Sequence, residues 1–300
     1  MDAAAMQDLS HAIDNMLAAE RLPPAYRESI EQIFVPLTDY IVSRHQALGR
    51  MCIVGLCGPQ GSGKSTGALA IRLLLERQGL RVAVLSLDDL YLTRKERHHL
   101  AETVHPLFAT RGPPGTHDIA LGVRTLDRLQ AAGDIALPSF DKATDERRPS
   151  TEWPVFTGPA DVVVFEGWCI GALPQLPAAL AMPINELERT CDAAGTWRRH
   201  VNMALAGYVE LFSRIDIQVL LQPPAFEVVA RWRCEQEAKL RICVRPSDVG
   251  QRTMSDEQVT HFVQHYERVT RHIMVEMPAR ADALIALGAH RELKAFTLRK

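Results

Sequence analysis

The apolar positions change rhythm near residue 50. Before it they recur at helical spacing. Leu9, Ile13, Met16 and Leu17 share one face, Pro23-Pro24 interrupt, and Tyr26, Ile30, Ile33, Phe34, Leu37 and Ile41 resume the period. Pro36 lies inside the second run and predicts a kink. After residue 50, short continuous apolar runs alternate with longer segments of helical character. Cys52–Cys57, Val82–Leu87, Val162–Phe165, Ile215–Leu221 and Ala283–Leu287 read as strands buried on both faces. Helices are expected over Gly63–Gln78, His117–Ala132, Trp197–Ser213, Phe226–Arg241 and Asp256–Val275. Gly79 and Gly133 supply stops and Ser255 an N-cap.

This alternation predicts an α/β fold: a five-stranded parallel sheet flanked by helices. The predicted organisation is an N-terminal helical extension over residues 1–50 and a main domain over 51–300. Pro106–Pro114 and Pro138–Pro159 read as loops, which in such folds carry substrate contacts.

The first predicted strand runs into Gly58-Pro59-Gln60-Gly61-Ser62-Gly63-Lys64-Ser65, and a helix follows. The segment fits G-x-x-x-x-G-K-[ST] at every fixed position and has the strand–loop–helix context the pattern requires. Its glycines let backbone N–H groups curl around phosphate oxygens, and the helix adds its positive end. Lys64 is expected to reach the β- and γ-phosphates and Ser65 to ligate Mg²⁺. A P-loop NTPase fold binding ATP and Mg²⁺ follows. A guanine-reading N-K-x-D is absent, because none of Asn15, Asn185 and Asn202 precedes a lysine. Glu166-Gly167 stands where large ATPase machines place Asp-Glu.

Asp88, Asp89 and Glu166 close predicted strands, and ligands of open α/β sheets bind beyond such ends. A carboxylate there could take the proton of an attacking hydroxyl or hold Mg²⁺. Alternation along a strand would send Asp88 and Asp89 to opposite faces.

Bulk properties narrow the class. The 300 residues are 47% hydrophobic, with 34 basic and 36 acidic residues and a net charge of −2, which argues against a dedicated nucleic-acid binder. No C-x-x-C pair occurs among the six cysteines. The amino terminus lacks a basic start with an apolar run, and no stretch of about 18 apolar residues exists. A cytoplasmic, reducing setting with no membrane or nucleic-acid partner is the expectation. His98, His99, His261, His265 and His272 read as polar or surface residues, whereas His117 stands in Gly-Thr-His-Asp beside a turn-rich loop.

Taken together, these motifs resemble the phosphoribulokinase/uridine kinase/pantothenate kinase group, and most closely the plant-type D-glycerate 3-kinase family with its bacterial and fungal relatives. Carrying the resemblance are the P-loop, Ser86-Leu87-Asp88-Asp89-Leu90-Tyr91-Leu92-Thr93, Arg111-Gly112, Gly115-Thr116-His117-Asp118, Phe140-Asp141-Lys142, Phe165-Glu166-Gly167-Trp168, Arg231-Trp232-Arg233 and Met254-Ser255-Asp256-Glu257. The resemblance implies a mononucleotide-kinase-like fold, ATP and Mg²⁺, and transfer to a primary alcohol of a small-molecule acceptor. It makes Asp88 the general base, with Lys64 and Glu166 as catalytic partners and Ser65 and Glu166 at the metal. Gly58–Ser65, Thr66, Arg231 and Arg233 would hold the nucleotide. Arg111, His117, Asp118, Asp141 and Lys142 would surround the acceptor, and residues 226–255 would form a lid. The chain departs from the family in its loop Ala143–Arg148, where Thr144-Asp145-Glu146 replaces small residues.

Other readings stand beside these. Arg231, Glu235 and Lys239, like Arg233, Glu237 and Arg241, have the i, i+4 spacing of an ordinary charged helix. Asp118 could simply begin a helix. The acceptor could be a nucleoside, pantothenate or a sugar phosphate, and a P-loop protein can also sense nucleotide without catalysis. Intact Lys64, Ser65, Asp88 and Glu166 favour an enzyme.

Overall fold

A computed structural model describes residues 3–243 and 254–299. Its central sheet comprises β1 (Cys52–Cys57), β2 (Val82–Ser86), β3 (Val162–Gly167), β4 (Ile217–Gln222), β5 (Ala283–Leu287) and β6 (Leu293–Leu298), in the order β6-β5-β4-β1-β3-β2. The first five strands pair in parallel, as expected. The sixth was not expected. It folds back antiparallel on β5 and forms an edge.

Side-chain alternation sorts the sheet into two cores. Val54 and Leu56 of β1 and Val162 and Val164 of β3 face one side. There they meet Ile71, Leu74 and Leu75 of the P-loop helix, α3 (Lys64–Glu76). The amino-terminal helices α1 (Ala3–Ala19) and α2 (Val35–Leu48) join this layer through Ile13, Leu17, Leu37 and Ile41. The turn Ile30–Phe34 is π-helical and Pro36 opens α2, so the expected kink becomes a change of helix type. Ile53, Leu85, Val163, Phe165 and Leu220 face the other side, beneath residues 119–128, 196–207 and 256–276.

Several boundaries move. The strand ending at Phe165 continues to Gly167 and so includes Glu166. The helix expected from His117 begins at Ile119, behind the Asp118 N-cap. The loop region 138–159 contains small hairpins: residues 133–136 pair with 155–158, and Phe140-Asp141 with Glu146-Arg147. Ser255 caps Asp256–Glu276 in a capping box with Gln258.

Segment Glu227–Cys243 is helical, but it is more than the charged helix its i, i+4 charges suggest. Phe226, Val229 and Trp232 are buried at spacings of three, a signal present in the sequence. Residues 244–253 of the expected lid lie outside the described residues. His265 is also corrected: it is buried edge-on to Trp197, and burial pushes its pKa down to about 4. Among the described residues no helix is long and apolar enough to cross a membrane.

Candidate active site

The site forms at the carboxyl ends of β1, β2 and β3. In the P-loop, Gly61 and Gly63 adopt left-handed φ values of 74° and 91°. Gly61 also lies so close to Trp232 that a Cβ would come within 2.8 Å of that residue's Cβ. Lys64 Nζ donates to the Pro59 carbonyl at 3.2 Å. Gly58, Pro59 and Ser62 are buried, while Gln60, Lys64 and Thr66 are partly exposed.

Register explains the next layer. Ser86 pairs with Glu166 across β2 and β3, and both project to the P-loop side of the sheet. Glu166 Oε1 accepts from Ser65 Oγ at 3.0 Å and from Ser86 Oγ at 3.1 Å. Ser86 Oγ in turn accepts the Asp88 N–H at 3.3 Å. A hydrogen-bonded path therefore runs from Ser65 through buried Glu166 to Asp88.

Asp88 and Asp89 do not alternate along a strand. They sit on the 3₁₀ turn Leu87–Leu90 that follows β2. Asp88 accepts from Tyr91 Oη at 2.7 Å and from Lys142 Nζ at 2.6 Å. Burial works to raise its pKa, but Lys142, Tyr91 and Lys64 outweigh burial and hold the carboxyl well below its usual range. Asp89 accepts the Phe140 N–H at 3.0 Å. Burial, aided by neighbouring Asp88, pushes its pKa up to about 6.

The expected acceptor residues gather in the same region, and most are already engaged. His117 is buried beside Tyr91, with ring centroids 4.8 Å apart, and its Nδ1 lies 2.7 Å from Tyr208 Oη. Burial pushes its pKa down to about 3, so it is neutral at physiological pH, and its Nε2 is buried without a hydrogen-bond partner. Asp118 caps its helix by accepting the Leu121 N–H at 2.8 Å and pairs with Arg147 at 3.3 Å. Asp141 accepts the Ala143 N–H at 2.9 Å. Arg111 pairs with Asp145, and Tyr266 Oη donates to the Arg111 carbonyl at 3.0 Å. Gly112 lies against Tyr266 with a φ of 118°, leaving no space for a side chain.

On the nucleotide side, Arg233 pairs with Glu237 at 2.8 Å, and Arg231 donates to the Ala289 carbonyl. Sequence reasoning missed Arg291, in the β5–β6 turn with φ 66°. It donates to the Gly61 carbonyl at 2.6 Å and to Glu235 at 2.7 Å, and its guanidinium carbon lies 5.1 Å from the Trp232 ring centroid. Nothing local to Arg291 signals this role. Arg97 was missed too, because its segment Arg94-Lys95-Glu96-Arg97-His98-His99 reads as a solvated face.

A parallel sheet with a P-loop after β1, an acid on the turn after β2 and another near the carboxyl end of β3 defines a P-loop phosphotransferase. The chain is 33% identical over 248 residues to Uncharacterized kinase mug58 of Schizosaccharomyces pombe, covering 79% of this chain and 86% of that one. It is 32% identical over 226 residues to the chloroplastic D-glycerate 3-kinase of Arabidopsis thaliana, covering 71% of this chain and 46% of that one, so it spans about half the plant protein. A solved D-glycerate 3-kinase from Cryptococcus neoformans superposes with a TM-score of 0.70 at 26% identity, covering 90% of this chain and 99% of that one. The family described as Methylmalonyl Co-A mutase-associated GTPase MeaB matches residues 27–91, the stretch around the P-loop. The chain belongs to the P-loop kinase family that contains mug58 and these D-glycerate 3-kinases.

Proposed function

We propose that this kinase transfers the γ-phosphoryl group of ATP to the 3-hydroxyl of D-glycerate. The observation that carries the reading is the path Ser65–Glu166–Ser86–Asp88, which ties the phosphate-holding loop to an acid able to receive an acceptor hydroxyl. The relatives' names and the cationic loops around Asp88 support D-glycerate as the acceptor.

P-loop N–H groups and Lys64 bind the β- and γ-phosphates. Ser65 and Glu166 offer adjacent hard oxygen donors, a set that suits Mg²⁺ sharing its remaining positions with phosphate and water. When bound, Mg²⁺ would neutralise charge on the phosphates.

Asp88 orients the acceptor hydroxyl and receives its proton. Because phosphoryl transfer passes through a loose transition state, this carboxylate needs to position the hydroxyl more than to ionise it early. That fits an acid whose basicity Lys142 suppresses in the unliganded site. When acceptor and nucleotide enter, Lys142 exchanges Asp88 for the γ-phosphate, and Asp88 regains basicity as its proton arrives. Tyr91 keeps the carboxylate aimed, and neutral His117 supports Tyr91 by stacking.

The test is ADP release with D-glycerate, glycerol, uridine, pantothenate and a sugar phosphate offered singly. Turnover is expected on D-glycerate. Turnover on another acceptor with none on D-glycerate would overturn the assignment and leave the kinase class intact.

A further inference from the structure

Arg97 is completely buried, although a guanidinium stays charged at any physiological pH and needs a partner. Its partner is Asp145, at the tip of the hairpin joining Phe140-Asp141 to Glu146-Arg147. One carboxylate oxygen accepts from Arg97 Nη2 at 2.6 Å and the other from Arg111 Nη1. Arg94 Nε stands 4.0 Å from the same carboxylate. Three arginines thus converge on one acid. Glu146 accepts from the Arg94 backbone N–H, not from its guanidinium.

Asp145 is held differently from a core counter-ion. It is one-third exposed and stands on a turn with φ 57°. The Arg111 side chain is one-quarter exposed, and its Nε and Nη2 have no hydrogen-bond partner among the described residues. Both Arg97 and Arg111 place their guanidinium carbons 5.7 Å from the Phe140 ring centroid. Phe140 packs edge-on against Tyr91, whose hydroxyl holds Asp88. The Phe140–Tyr91 ring pair thus joins the arginine cluster to the hydroxyl that holds Asp88.

We propose that Asp145 is a resident stand-in for the acceptor's carboxylate, occupying Arg111 until a small hydroxy acid displaces it, with Arg97 and Arg94 holding the displaced Asp145. The proposal rests on the D-glycerate reading. On binding, the acid's carboxylate takes the fork of Arg111 bidentately, a geometry the single Asp145 oxygen does not use. Asp145 swings toward Arg97 and Arg94 and keeps the buried cation paired. The stand-in raises selectivity, because a neutral triol or a nucleoside has no group able to compete for Arg111.

The experiment is calorimetric titration of D-glycerate into the full-length wild type, Asp145→Asn and Arg111→Gln, each with and without a non-hydrolysable ATP analogue. Thermal melts establish that each variant folds. Removing the competitor should tighten D-glycerate binding by about three- to tenfold in Asp145→Asn, and removing the fork should abolish it in Arg111→Gln while ATP-analogue binding persists. Should Asp145→Asn, which leaves buried Arg97 unpaired, fail to fold, Asp145→Glu takes its place. Its longer arm fits the turn less well and should also tighten binding. Equal or weaker binding in the Asp145 variant, or undiminished binding in Arg111→Gln, overturns the stand-in. Wild-type turnover on D-glycerate is scored separately, so an enzyme active on D-glycerate whose Asp145 variant binds no better refutes only the stand-in. An enzyme that neither binds nor phosphorylates D-glycerate refutes both.

Discussion

Lys142 Nζ lies 2.6 Å from Asp88 Oδ2, so in the unliganded site the acid expected to receive the acceptor's proton is an ion pair. The pair is half open to solvent, with side-chain exposures of 60% for Lys142 and 30% for Asp88. Its contribution to stability is small, and its consequence is kinetic. Asp88→Asn removes the proton acceptor but keeps the fold. We expect kcat to fall by roughly 10²–10⁴-fold with ATP affinity nearly unchanged. Lys142→Ala should lower kcat while moving the acid limb of the kcat/KM profile to higher pH, because Asp88 loses the charge that depresses its pKa. A Lys142→Ala profile with an unmoved acid limb would count against the pairing.

Lys64→Ala removes the ammonium that meets the transferring phosphoryl group. Activity should fall by orders of magnitude, and the melting temperature should hold, since among the described residues the hydrogen bond from Lys64 is to the Pro59 carbonyl. An active Lys64→Ala enzyme would refute the phosphate-loop argument.

Asp89 carries an opposite pH signature to Asp88. Its folded pKa is raised to about 6, so the native state binds the proton more tightly than the unfolded chain does. Its contribution to stability is therefore full below the unfolded carboxyl pKa and is lost as pH rises towards and through about 6. Asp89→Asn keeps an oxygen for the Phe140 N–H and removes the charge. We expect it to stabilise the unliganded protein by about 1–3 kcal/mol at pH 8, with the gain vanishing near pH 4. Thermal melts across that range decide it. Destabilisation at pH 8 would mean that the Asp89 charge is needed.

How much of this was legible in the sequence follows from how local each signal is. The P-loop is a contiguous string with few tolerated residues, and Val162-Val163-Val164 can only be a buried strand. Both were read, and the parallel sheet with them. β6 was not, because none of its residues from Leu293 to Leu298 is buried and its polar residues alternate weakly, as suits an edge strand. Asp88 and Glu166 drew attention because they close predicted apolar runs, and the structure brings them into one hydrogen-bonded path. Arg97 and Arg291 were not found, because what they do depends on Asp145, Gly61 and Trp232, which lie far away in sequence. The charges of Glu227–Cys243 caught attention, and the buried Phe226, Val229 and Trp232 behind them did not.

That last omission changes what the lid can do. A helix swinging as a unit over residues 226–241 would have to pull fully buried Trp232 and Val229 out of the core and break the Trp232 Nε1 bond to the Ala289 carbonyl at 2.9 Å. It would also break the bridge from Arg291 to Gly61 and Glu235. Burying a Val or Trp side chain is worth about 1.5–3 kcal/mol each, so the cost is too high for a motion repeated every turnover. We therefore expect the first half of the helix to act as a fixed wall of the P-loop. Hydrogen exchange with and without a non-hydrolysable ATP analogue tests this. Residues 227–235 should be protected equally with and without the analogue. Arg291→Ala should loosen the wall, raising KM for ATP about three- to tenfold with little effect on KM for the acceptor, while Arg291→Lys restores part of the loss by keeping one donor for Gly61. Nucleotide-dependent protection spread evenly from residue 227 onward would restore the rigid lid and refute the fixed wall.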